Sequence, residues 1–341
     1  MSKTIYIIDS FLLPTGYNHM FMAQKIARGF EYHGFRVRVV KRISEIRSPG
    51  FVLICDHPVY FSLGARNNKS GNIFRIIPGA IQRLDNRIHV IGSLSTALRH
   101  KAYIELADQI KNKDIVVIGW NVHKDKYFLE GLKIPIIFTG EYYDKKPVLD
   151  YQISWYELYS DSMGKNCLPL KFAADVRPDE VGNGCKNDKY SVSYVGDKTY
   201  GIKYRSLFVN DPSCRIIPTP PYITEQEKIE VYKNSMIILG LTNKQSKMGG
   251  HVPERIFEAL ANGAICLTDS EPAVRQTEGC AVRFRSTKEL RILVDKFKKD
   301  ERKRLALRRK GFEYIKRQGT WASRALDFIK MADKLYNVKF D

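Results

Sequence analysis

The chain lacks several things that would have pointed elsewhere. Its six cysteines are scattered and none form a Cys-x-x-Cys pair, so a thiolate metal site is not expected and free thiols in a reducing compartment are the simplest account. There is no Asp-x-Asp, so no metal site is predicted and a divalent ion is optional. No apolar run is long enough to cross a bilayer; Ile115–Trp120 is typical of the longest. The opening Met-Ser-Lys-Thr-Ile-Tyr-Ile-Ile-Asp reads as a first strand and not as a signal peptide, so a cytoplasmic location is expected. No repeat of solenoid length occurs. Acids are scarce beside bases, 37 against 56, for a net charge of +19. A field of that sign gathers polyanions: nucleic acid, acidic phospholipid or nucleotide diphosphates.

What is present is a two-domain α/β pattern. At 341 residues, 44% hydrophobic, the chain is long for one core and sufficient for two. Strands are predicted at Ile5–Asp9, Arg36–Val40, Phe51–Cys55, Ile88–Ile91, Ile115–Ile118 and Ile134–Phe138, with helical spacing at Tyr17–Tyr32 and Ser95–Lys111 and a helix-stopping Gly34. The pattern restarts at Tyr190–Val195 and runs through strands at Cys214–Ile217, Ser235–Leu241 and Ala264–Leu267. Strand-helix-strand at this spacing implies parallel sheets with right-handed crossovers. The expected division is 1–165, then 186–318, then a last helix at 319–341 packing back on the N-terminal domain. Gly164–Asp188, with Pro169, Pro178, Gly182 and Gly184, reads as a loose linker.

Open parallel sheets bind ligands at the carboxyl ends of their strands. In the second half, strand Ser235–Leu241 runs into a polar, basic loop that includes Thr242 and Lys244 and ends at Pro253, read as the first residue of a helix. The N-terminus of that helix favours an anion. Arg255 and Glu258 are three apart on it, an arginine to fork a phosphate and a carboxylate to accept hydrogen bonds from a ribose diol.

Tyr232, Ser235–Leu239 and the run Glu254–Asp269 together resemble the C-terminal half of GT-B glycosyltransferases, and within them the spore-maturation-type glycosyltransferases and the bacteriophage DNA β-glucosyltransferases. The resemblance covers about residues 190–335, and the N-terminal half only as architecture. It implies a GT-B fold: two Rossmann-like domains whose parallel sheets face a central cleft, the first binding acceptor and the second binding nucleotide-sugar. It implies that Arg255 and Glu258 hold the donor's phosphate and ribose, and that Gly196, Lys198 and Arg205 meet its diphosphate; Thr242 and Lys244 complete the donor set. The donor is a co-substrate, a UDP-sugar being the commonest choice, and no tightly bound cofactor is expected. One departure stands out. Many retaining GT-B enzymes carry two glutamates eight positions apart around this helix. Here the matching position is Gly250, beside His251, so an inverting transfer is favoured.

An inverting transfer needs a base to take the acceptor proton. Glu141 follows the strand that ends near Phe138, where the resembled phage enzymes place an acid. His19 lies where other inverting GT-B enzymes keep a histidine, and Asp56 follows strand Phe51–Cys55. The three are catalytic candidates in that order. The charge and the phage resemblance point to a hydroxymethylated pyrimidine in duplex DNA as acceptor. Two alternatives remain open: a surface glycan or glycoprotein, and a non-catalytic nucleic-acid-binding protein on a transferase scaffold. Oligomeric state is not indicated.

Overall fold

The computed structural model describes residues 4–8, 18–55, 101, 103–111, 113–120, 129, 131–139, 168, 171–219, 223–248 and 250–340. They form two compact units. One holds the described residues up to 139, Leu168 and Phe328–Phe340; the other runs from Lys171 to Asp327.

The first unit is built on a parallel sheet of β1 (Thr4–Ile8), β2 (Arg36–Val40), β3 (Gly50–Cys55), β4 (Ile115–Trp120) and β5 (Ile136–Thr139), in the order β2-β1-β3-β4-β5. All of β1 and the described side chains of β3 and β4 are buried. Strands covered on both faces read as unbroken apolar runs, which is why they are visible in the sequence. The helix α1 (Asn18–Tyr32) buries Ile26, Ala27 and Phe30. It stops in a Schellman turn at Gly34 (φ +81), with Phe35 N–H bonded to the Phe30 carbonyl and Gly34 N–H to that of Glu31. The Phe30 ring meets Phe51 at 4.9 Å and Phe328 at 6.3 Å, and Phe51 stacks on Phe340 at 4.4 Å. Tyr336 Oη donates to the Ile136 carbonyl at 2.5 Å.

In the second unit the parallel strands are β6 (Tyr190–Asp197), β7 (Cys214–Thr219), β8 (Ser235–Gly240), β9 (Ile265–Thr268) and β10 (Val282–Arg283), ordered β10-β9-β8-β6-β7. Numbered from each unit's own first strand, the two sheets share the order 2-1-3-4-5. Its helices are α2 (Ile202–Arg205), α3 (Glu225–Lys233), α4 (Lys244–Met248), α5 (Glu254–Ala261), α6 (Glu271–Gln276), α7 (Thr287–Lys299) and α8 (Glu301–Gln318), and α9 (Trp321–Tyr336) begins in this unit and passes into the first at Phe328. From Ile256 to Ala261, every residue of α5 is buried.

The stretch read as a loose linker is not loose where it is described. Between Lys171 and Asp188, Ala173, Ala174, Val181 and Asn187 are buried. Ala174 N–H bonds to the Gly319 carbonyl, Gly182 N–H to that of Ala261 and Asn187 N–H to that of Lys233. Pro178, Gly182 and Gly184, which suggest flexibility, instead shape a segment whose backbone groups find partners in the second unit. Asn187 is its anchor. At φ +57 it points its amide nitrogen at the carbonyls of Tyr232 (3.2 Å), Ser235 (2.8 Å) and Asn262 (3.0 Å), fastening the end of α3, the start of β8 and the end of α5.

Asn187→Ala is therefore expected to destabilise the protein by about 3 kcal/mol, combining lost bonds to buried carbonyls with a left-handed backbone penalty. Asn187→Gly, which keeps the backbone conformation, is expected to cost less. Thermal melts of the two variants check the order.

Candidate functional site

In the second sheet, connections leave β6 towards β7 on one side and β8 continues to β9 on the other. The topological switch point lies between the carboxyl ends of β6 and β8, where doubly wound sheets take their ligands. Gly196 sits at the end of β6, and Gly240-Leu241 ends and follows β8. Arg255, from the first turn of α5, reaches into that junction. Its Nη1 donates to the Leu241 carbonyl at 3.2 Å and lies 3.5 Å from Tyr194 Oη. Its guanidinium carbon stands 5.8 Å from the Tyr194 ring centroid and 5.7 Å from that of Tyr200, within cation–π range. A Cβ on residue 196 would collide with Arg255 Nη1, lie 2.7 Å from its Cζ, and come 3.0 Å from Tyr194 Oη. Gly196 thus creates the space the guanidinium fills. Tyr194 Oη in turn donates to the Asp197 carbonyl at 2.7 Å, and burial, opposed by Arg255, raises its phenol above the usual range.

Arg205 joins the same cluster. Its guanidinium carbon also lies 5.8 Å from the Tyr194 ring centroid, and Nη2 donates to the Lys198 carbonyl. Its Nε is buried and has no partner among the described residues. Lys198 is exposed on the turn after β6. The sequence-predicted Gly196, Arg205 and Arg255 are therefore together, with Lys198 at their edge.

Thr242 and Lys244 stand differently. Thr242 is buried, and both its N–H (3.1 Å) and its Oγ1 (3.2 Å) go to Asp269 Oδ1. Lys247 Nζ takes Asp269 Oδ2 at 2.5 Å. Lys244 is exposed at the start of α4. Asp269 follows β9 and fixes this loop, a role the sequence does not disclose. Pro253 is the residue before α5 and not its first turn: with φ −67 and ψ 148 it is extended, and Glu254 opens the helix. Pro253 contributes no side-chain cap, so the first N–H groups of α5 are not satisfied that way.

Glu258, one turn after Arg255, is 2% exposed. Its Oε1 accepts from Lys228 Nζ of α3 at 2.8 Å, and Lys228, 14% exposed, also reaches Glu225 Oε2 at 2.6 Å. Burial pulls the Lys228 ammonium down, but Glu258, helped by Tyr232, Glu254 and Glu225, outweighs it and the net shift is upward. Burial and then the same carboxylate push the Tyr232 phenol up; its hydroxyl is buried with no partner among the described residues. Sequence reasoning missed Lys228: it lies 30 residues from Glu258, and nothing in its neighbourhood marks it as other than a solvated lysine of α3.

At the position eight before Glu258, the Gly250 carbonyl accepts from Gln276 Nε2 at 2.7 Å, and the His251 ring meets Phe172 edge-on at 5.1 Å. Of the base candidates, His19 is the second residue of α1, its side chain not among those described, and Glu141 and Asp56 lie outside the described residues. Among the described residues no three His, Cys, Asp or Glu gather as metal ligands, and no helix is long and apolar enough to cross a membrane.

Residues 200–330 match a family model described as glycosyl transferase-like. No curated protein matches the sequence. By structure, the chain is similar to an E. coli trehalose-6-phosphate protein bound with UDP-2-fluoro glucose (TM-score 0.57, 9% identity, 98% of this chain and 99% of that one). It is similar also to the DNA-modifying enzyme β-glucosyltransferase (TM-score 0.52, 10% identity, 98% and 100%) and to the T4 phage enzyme in complex with UDP-glucose (TM-score 0.50, 9% identity, 98% and 100%). The fold is GT-B, and residues 200–330 form a glycosyl transferase-like domain.

The Lys228–Glu258 pair is expected to weigh on stability in proportion to burial. Glu258→Gln leaves a buried ammonium short of a carboxylate and is expected to cost about 3 kcal/mol. Glu225→Gln, at a 64% exposed side chain, is expected to cost about 0–1 kcal/mol. Thermal unfolding of the two variants separates them.

Proposed function

We propose that this chain transfers a sugar from a nucleoside-diphosphate sugar, a UDP-sugar, to a hydroxyl of a hydroxymethylated pyrimidine in duplex DNA, with inversion. The observation that carries the donor half is the Arg255 guanidinium seated over Gly196 at the switch point of the second sheet, with the Glu258 carboxylate one helical turn away. Arginine at the diphosphate neutralises charge that grows on the leaving group as the glycosidic bond breaks. Arg205, whose Nε has no partner among the described residues, and Lys198 add to it. Glu258 receives the ribose. The UDP-sugar and UDP-glucose complexes among the structural relatives support this kind of donor.

In the transfer, a general base takes the proton of the acceptor hydroxyl as its oxygen bonds to the anomeric carbon; the bond to the diphosphate breaks and its electron pair leaves with the diphosphate. Glu141 is the first candidate for that base, ahead of His19 and Asp56. The missing second glutamate at Gly250 favours inversion.

Charge supports the acceptor half. On α8, Arg302, Arg309 and Lys316 recur every seven residues, close to two turns, and so share one face. All three are exposed, and none has an ion-pair partner among the described residues. Such a row matches a phosphate backbone. The likeness to a DNA-modifying β-glucosyltransferase fits the same reading.

Transfer from UDP-glucose to hydroxymethylcytosine-containing duplex DNA is the direct test. Arg255→Ala is expected to weaken UDP binding by about 10- to 100-fold, the worth of a charged hydrogen-bond pair, and Gly196→Ala to follow it by displacing the guanidinium. Glu141→Gln is expected to keep UDP binding and abolish turnover. Duplex binding is expected to fall with salt, and Arg302→Glu/Arg309→Glu/Lys316→Glu to flatten the log–log slope by about 0.9 for each phosphate no longer neutralised. Calorimetry, transfer assays and a salt titration read these out; salt-independent DNA binding removes the acceptor assignment and leaves the donor site standing.

A further inference from the structure

We infer that Lys228 is a positioning residue for the donor site: by holding one oxygen of Glu258, it orients the other towards the donor's ribose and so sets the preference for ribose over 2′-deoxyribose. This rests on the donor reading above, and it adds a residue from a different helix.

A carboxylate offers two oxygens. Lys228 Nζ occupies Oε1 at 2.8 Å, and no bond to Oε2 occurs among the described residues. The lysine itself is not free to wander. Thr224 caps α3 with a reciprocal box, its Oγ1 accepting from Glu227 N–H at 3.1 Å while Glu227 Oε2 takes the Thr224 N–H at 2.7 Å. That fixes the first turn of α3, and Lys228 follows directly. Glu225 Oε2, at 2.6 Å, holds the ammonium from its outer side. Tyr232, whose buried hydroxyl has no partner among the described residues, feels the same carboxylate. Asn262 and Asn187 lock the backbone at the end of α5: Asn262 Nδ2 donates to the Glu258 carbonyl at 2.8 Å, and Asn187 Nδ2 to the Asn262 carbonyl at 3.0 Å.

The electrostatic consequence is specific. A carboxylate at 2% exposure is stable as an anion only with a counter-charge. Lys228 supplies it before any donor arrives, so Glu258 need not turn to water, and a ribose diol meets an acceptor already aimed. Without the lysine the carboxylate has lost its counter-charge and is free to rotate out, and the second hydroxyl of the ribose ceases to matter.

The experiment uses the full-length chain and whichever of UDP, GDP, ADP and CDP binds best, compared by calorimetry with its 2′-deoxy form. The wild type is expected to prefer the ribonucleotide by about 10-fold. Lys228→Met is expected to bind the ribonucleotide about 10-fold more weakly and the deoxynucleotide almost as before, erasing the preference; Lys228→Arg is expected to restore it. A uniform loss for both nucleotides, or an unchanged preference, overturns the positioning role. If Lys228→Met shows no melting transition, Glu258→Gln and Glu258→Gln/Lys228→Met decide, because neither leaves a lone buried carboxylate. Equal affinities in that pair support action through Glu258; a further loss on removing Lys228 overturns it. Failure of all four nucleotides to bind the wild type sinks the donor reading itself.

Discussion

The second unit is organised around the need to bring one guanidinium to the point where two strands diverge and to keep it there. Arg255 achieves this because its neighbours make room or supply partners. Gly196 contributes the absence of a side chain, Leu241 a carbonyl at 3.2 Å, and Tyr194 and Tyr200 their ring faces. One N–H of Arg255 is anchored on protein, and the planar fork leaves further donors for an anion. The ring contacts are worth about 0.5–1 kcal/mol each at a partly open site. Their larger effect is to remove rotamer freedom that binding would otherwise have to remove.

The same helix carries a charge of opposite sign one turn on, and the protein balances it from another direction. Arg255 is held beside the ends of β6 and β8 through Nη1; Glu258 is held from α3 through Oε1. Had the two paired with each other across the helix turn, both would be neutralised and neither would face a ligand. Recruiting Lys228 from α3 separates the charges, so that a cation and a hydrogen-bond-accepting carboxylate oxygen are presented side by side. That is the pattern a nucleoside diphosphate offers in reverse, anionic at the phosphates and hydrogen-bond donating at the ribose.

Much of this is legible in the sequence, for identifiable reasons. The strands are visible because parallel sheets covered on both faces leave unbroken runs such as Ile115–Ile118, and Gly34 announces the end of α1 because a left-handed turn is needed there. Arg255 and Glu258 are legible because they share one helix at a fixed spacing. Partners separated by long stretches of chain are not. Lys228 is an ordinary lysine until α3 is laid beside α5, and Asp269 is an ordinary turn residue until it accepts from Thr242 and Lys247. The segment Lys171–Asp188 misleads because Pro and Gly mark turns without saying whether the turns are packed; here the carbonyls of Ala261, Lys233 and Gly319 receive its N–H groups. Pro253 misleads by one residue, since a proline with its extended ψ serves just before a helix as readily as in its first turn.

Residue 250 ties the proposed stereochemistry to packing. In the retaining pattern an acid stands eight residues before the ribose-binding glutamate. Here that position is a glycine at φ +73, whose carbonyl accepts from the buried Gln276. A glutamate there would sit on a left-handed backbone, a conformation costing roughly 1–2 kcal/mol for most residues with a side chain. The next residue, His251, has its backbone N–H on the Ser246 carbonyl and its ring against Phe172. Both residues are thus committed to holding the loop between α4 and α5, and a carboxylate introduced at 250 would bring strain to the segment that places Arg255. The loop's conformation and the absence of an acid at this position are one constraint seen twice. With no carboxylate supplied from this loop, the proposed transfer needs a base from elsewhere in the chain, and attack on the face of the sugar opposite the diphosphate would invert the anomeric carbon.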